Sequence, residues 1–237
     1  MSEANARRTR TLVLLALVVA APSTGALAAL WLWPGPLGSG VYLAAKCVLY
    51  GIPAVIAWRT VTRQNLLDGL RRGLGRGALL FGLLSGLLIS GVILGAWFWV
   101  LSGRVDVGAL LAVVREAGMD DPIRYWLFAA WLCIGNSLLE EFVFRWFVDG
   151  RLSQLGLPRG LMLPISALIF TAHHVLVLAA YFSPGMVVLG SVGVFIGGLV
   201  WSWTLLRWNS LLPGWISHAL VDVAVLVVGA SILGLNG

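Results

Sequence analysis

The chain has 237 residues, 59% of them apolar and only 11% charged, with a formal net charge of +6; an average soluble domain carries roughly 25% charged residues. A mean hydropathy of +0.94 is more apolar surface than so short a chain can bury. A soluble globular domain, a disordered chain and a disulfide scaffold are excluded, and an all-α polytopic membrane bundle remains. The basic excess is fifteen Arg and one Lys. It falls mostly between apolar stretches, which is membrane topology rather than a nucleic-acid footprint, so no nucleic-acid partner is expected.

Seven stretches come close to the roughly 20 residues a helix needs to cross a bilayer: 11–33, 41–58, 78–101, 123–147, 161–182, 186–206 and 211–235. The first follows Arg7, Arg8 and Arg10. Its apolar run continues to Trp33 and is read as a retained span, against the rival reading of a cleavable signal peptide ending near Ala26-Leu27-Ala28. Arg59, Arg63, Arg71, Arg72 and Arg76 follow the second span. The third carries Gly82, Gly86, Gly91 and Gly95, spaced for close helix packing. Val105 to Ala117 is a short amphipathic piece suited to the membrane surface. Arg151, Arg159 and Arg207 lie in later loops on the same side as the N-terminal arginines. The bias predicts a cytoplasmic N-terminus in an integral membrane protein, and the Arg-rich usage fits a bacterial cell membrane. Cys47 and Cys133 both sit inside apolar runs and read as buried thiols. The whole chain, 1–237, reads as one membrane-embedded domain in contact with lipid.

Ionisable side chains cost about 2.5–3.5 kcal/mol or more at the centre of a membrane helix, so they mark functional sites. Here they gather in the fourth, fifth and seventh spans, within residues 123–235. Glu140 and Glu141 precede Arg145; Glu141 and Arg145 are i and i+4 and share a face, which leaves the other carboxylate free for proton work. Phe170 and His174 share a face of the fifth span, and His173 points elsewhere, in a supporting or packing role. His218 and Asp222 are again i and i+4. A carboxylate and an imidazole converging on one spot can hold and deprotonate a water. His218 could donate to a developing oxyanion, with Asp222 fixing its tautomer or donating when protonated. The same groups could bind a metal: Glu140, His174 and His218 are acceptable zinc ligands. No H-E-x-x-H pair is present, so no cofactor is assigned and zinc stays as the alternative.

The three segments Glu140-Glu141…Arg145, Phe170…His174 and His218…Asp222 resemble the CPBP family of intramembrane proteases, the CAAX protease and bacteriocin-processing or ABI family. The resemblance implies an intramembrane endopeptidase acting on a peptide or lipidated protein, with CaaX-like prenyl-protein processing among its substrates. It implies that Glu140 and His174 activate water, that His218 and Asp222 form the oxyanion site, and that Glu141 and Arg145 support them. The family is now read as glutamate-type, with a metallo reading behind it. This chain has Asp222 where the prenyl-protein members carry Asn. The competing expectations are a non-catalytic scaffold or bacteriocin self-immunity protein of the same fold, and a proton-coupled transporter.

Overall fold

The computed structural model describes residues 3–235; the outermost residues of the expected 1–237 domain, 1–2 and 236–237, lie outside them. Nine helices account for most of the described chain: α1 Glu3–Leu32, α2 Pro36–Thr60, α3 Arg63–Gly73, α4 Arg76–Leu101, α5 Gly108–Glu116, α6 Pro122–Gln154, α7 Arg159–Tyr181, α8 Pro184–Trp208 and α9 Leu212–Leu233. Seven of them, all but α3 and α5, are long and apolar enough to span a bilayer. No strand occurs among the described residues. The protein is an all-α, polytopic integral membrane protein. α5 covers the expected amphipathic segment.

Local chemistry sets the helix ends. Thr62 caps α3 in a reciprocal pair with Asn65. Asp121 accepts from the Arg124 N–H at 2.9 Å at the start of α6, where Pro122 occupies the first turn without needing a donor. α6 is not uniformly wound. It passes through π-helical turns at Trp131–Asn136 and Glu141–Asp149, and such wide turns recur at functional sites. The second begins at the Glu140-Glu141 pair.

The core is built on α6. Val143, Phe144, Phe147 and Val148 meet Val18 and Ala21 of α1, Leu49 of α2, Met162 and Phe170 of α7 and Trp201 of α8. α1 is thereby an integral part of the bundle. α9 lies along α4. A methyl at Gly82 would meet the Pro213 carbonyl oxygen at 2.7 Å, and one at Gly86 would meet the Ser217 Cα at 3.0 Å. Ser85 donates to Ser217 Oγ at 3.1 Å and Ser90 to the Leu220 carbonyl at 2.9 Å, so hydroxyls add to close packing where lipid offers no hydrophobic force.

Two expectations need correction. Gly91 has open space around its Cβ position and Gly95 meets only Trp99 of its own helix, so the small-residue face ends near Ser90. Cys47 is exposed, because its face of α2 turns away from the core; only Cys133 is buried.

Gly82→Ala should destabilise the bundle by about 1–3 kcal/mol through overpacking, read as a lower unfolding midpoint in detergent. Gly91→Ala should leave the midpoint unchanged. Equal effects would show that the α4–α9 contact is not set by glycine.

Candidate active site

α6, α7 and α9 bring the polar residues of the three motifs to one place. The centre is the His218 imidazole, 4% exposed. Its Nδ1 lies 3.0 Å from Glu141 Oε1. Its Nε2 lies 3.7 Å from Glu140 Oε2 and 3.7 Å from Asp222 Oδ1. The ring stacks on Trp201 at a centroid distance of 3.8 Å and 13° between planes. Trp201 in turn donates to Ser217 Oγ at 3.2 Å. The imidazole is therefore fixed in plane by an aromatic face and in rotation by a carboxylate.

Behind it lies a column of buried charge on one face of α6. Arg145, with no exposed surface, sits 3.6 Å from Glu141 Oε1, an ion pair longer than a hydrogen bond. Its guanidinium also lies 4.8 Å over the Phe170 ring and 5.7 Å from the Trp201 ring, a cation–π contact strengthened by the absence of water. Asp149, also buried, lies beside Arg145, Ser166 and Ser202. The i, i+4 spacing of Glu141, Arg145 and Asp149 alternates acid, base, acid down the helix. Gly214 makes room for it: a methyl there would sit 2.8 Å from Glu141 Oε2 and 2.9 Å from Thr204 Oγ1.

Glu140 faces the other way and is more open, with 14% of its side chain exposed. Asn136 donates to its Oε1 at 2.9 Å, and the Tyr50 hydroxyl of α2 stands 3.5 Å from Asn136 Oδ1. His174 Nδ1 lies 2.9 Å from the Phe170 carbonyl. A carbonyl only accepts, so Nδ1 carries the hydrogen and Nε2 keeps its lone pair.

The structure thus gathers Glu140, Glu141, Arg145, His174, His218 and Asp222, which the sequence places on three separate helices. It differs from the sequence expectation in three respects. His218 is held more closely by Glu141 than by Asp222, a cross-helix contact that spacing within α9 cannot reveal. His173 does not point away: its ring centroid is 4.0 Å from that of His174. Among the described residues the group able to hold a metal is Glu140, His173 and His174, whose ligand atoms lie within 4.8 Å of one another; the expected set has His218 in place of His173. One carboxylate with two imidazoles suits zinc in kind. Asn136, Tyr50, Trp201 and Gly214 were not anticipated. Asn136 had a signal, being i−4 to Glu140 in an apolar helix; Trp201 had none among twelve tryptophans.

Residues 122–224 match the family described as Type II CAAX prenyl endopeptidase Rce1-like. The match runs from the first residue of α6 to two residues beyond Asp222 and includes every residue of the three motifs. Over that stretch, under half of the chain, the protein is similar to the CAAX protease family. Neither curated proteins nor solved structures give a match. The similarity supports a membrane protease with a protein substrate.

Arg145→Met would leave Asp149 buried without a counter-charge and Glu141 with His218 as its only charged partner among the described residues. It should cost about 3–5 kcal/mol, the usual penalty for removing one partner of a buried pair, seen as a much lower unfolding midpoint in detergent. Wild-type stability would show that the column is not held by Arg145.

Proposed function

We propose that this chain is an intramembrane endopeptidase of the glutamate type, oriented with its N-terminus on the cytoplasmic side of a bacterial cell membrane. The observation that carries this reading is the convergence of Glu140, His174, His218 and Asp222 from three helices on one buried point. In this reading Glu140 and the free Nε2 of His174 hold a water and Glu140 takes its proton as the water attacks the peptide carbonyl. Asn136 keeps Glu140 turned toward that water. His218 donates from Nε2 to the oxyanion. Glu141 takes up the Nδ1 hydrogen of His218, so only a doubly protonated ring has a second one to give. The carboxylates of Glu140, Glu141 and Asp222 supply the charge that such a ring needs. Asp222 then acts on His218 and need not donate itself, which reconciles its presence with an oxyanion role. The proton returns from Glu140 to the leaving amine.

The substrate we infer is a peptide or a lipidated protein. An apolar crevice of about 340 Å³ between α6 and α9 supports this. Two residues of its lining, Ala219 and Val223, directly follow His218 and Asp222. It suits an alkyl or isoprenyl chain by its lack of polar groups.

A zinc ion is the second reading, favoured by the grouping of Glu140, His173 and His174. Those residues would hold it, and it would supply an acidified water.

Purified protein should cleave a prenylated CaaX peptide. Glu140→Ala, His174→Ala and His218→Ala should each lower the rate by at least about 10²-fold without changing the circular dichroism spectrum. Full cleavage by all three variants refutes the proposal. A strong chelator should leave the rate unchanged; loss on chelation and recovery with added zinc would assign the water to a metal.

A further inference from the structure

At the N-terminal end of the bundle α1 and α2 part to leave a cleft of about 1350 Å³, whose lining includes none of the candidate active-site residues. Three separate parts of the chain send arginines to it: Arg7, Arg8 and Arg10 from α1, Arg59 from the end of α2 and Arg151 from the end of α6. Glu3 is the single carboxylate of the lining. Among the described residues no ion pair engages any of these five guanidiniums; Arg151 donates only to Gln154, at 2.8 Å. Positive-side topology explains why arginines lie at this end of the spans. It does not explain why those from distant segments face one concave surface.

Deeper in the cleft the lining changes. Val55, Ile52 and Val48 continue down α2 from Arg59, and Leu14 faces them from α1. From Arg59 to Val48 is eleven residues, on the order of 16 Å along the helix axis. A cationic rim at the helix ends with an apolar trough of that depth matches one amphiphile, with its phosphate at headgroup level and its chain beside the helices. A free anion would use the rim alone. A soluble acidic peptide would have no use for a trough buried at acyl depth.

We propose that the cleft between α1 and α2 is a binding site for an anionic glycerophospholipid, its phosphate held by Arg10, Arg59 and Arg151 and an acyl chain lying along Val48, Ile52 and Val55. The site is independent of the protease reading. It ties α1 and α2 to the end of α6 through a lipid.

The test is native mass spectrometry of the full chain in detergent, with dioleoylphosphatidylglycerol and dioleoylphosphatidylcholine as probes. Phosphatidylglycerol should be retained at least tenfold more strongly than phosphatidylcholine. The triple change Arg10→Gln, Arg59→Gln and Arg151→Gln should remove that retention. Arg63→Gln, Arg71→Gln and Arg76→Gln together, which delete the same charge outside the cleft, should alter it less than twofold. Gly51→Trp tests the trough without touching charge: Gly51 lines the cleft and its Cβ position is open. This variant should also lower retention at least fivefold, and it serves if the triple variant fails to fold. Equal losses in the two arginine triples, equal retention of both lipids, or full retention in Gly51→Trp would each overturn the proposal. Displacement of the lipid by glycerol phosphate or by an acidic peptide at the same concentration would do so as well.

Discussion

Glu141, with 1% of its surface exposed, sits in a medium that penalises an isolated carboxylate by several kcal/mol. Its partners make its burial tenable. Arg145 lies on one side of it and His218 on the other. Each of these is as buried as the carboxylate, so none can be removed without stranding the rest. The arrangement welds α6 to α9; Trp201 of α8 stacks on the His218 ring and Phe170 of α7 meets it in a T-shaped contact. A buried ion pair is weak evidence for stability in itself. Here it fixes the position of a ring, which is what a site needs.

The division of labour between the two adjacent glutamates follows from their places on the turn. Glu141 points inward and is consumed by structure. Glu140, about a quarter-turn away and partly open, keeps an accessible oxygen and accepts a hydrogen bond from Asn136. His174 repeats the logic on α7. Its Nδ1 is committed to its own backbone, so the remaining nitrogen is available with a defined tautomer. Preorganisation of this kind is inexpensive on helices, because i, i+4 contacts come with the backbone geometry.

Much of this was legible in the amino-acid sequence, for the same reason. The seven spans follow from hydropathy, and Glu141–Arg145 follows from a spacing of four in an apolar helix. What spacing cannot show is which helix approaches which. Spacing pairs His218 with Asp222 on its own helix, and the closer Glu141 contact exists only after α6 and α9 meet. His173 lies about 100° around the helix from His174, a spacing that turns the two side chains apart, yet their imidazole rings are wide enough to touch. Nor does the sequence show that the missing side chain of Gly214 is space for the Glu141 carboxylate. Asp149 lies at the end of the same charged face of α6 and is buried, which its place near the end of the apolar run does not reveal.

The central claim is that Glu141 holds His218 through its Nδ1 hydrogen, and the protein has only three histidines, so each imidazole can be followed by solid-state nitrogen NMR of histidine-labelled protein in lipid. The account predicts that Nδ1 carries the hydrogen in both His174 and His218. It also predicts that the His218 Nδ1 proton is shifted far downfield by a charge-assisted bond, and that Glu141→Gln moves that signal while leaving those of His173 and His174 in place. A His218 with a bare Nδ1, or one whose signal ignores the loss of the Glu141 charge, would contradict it.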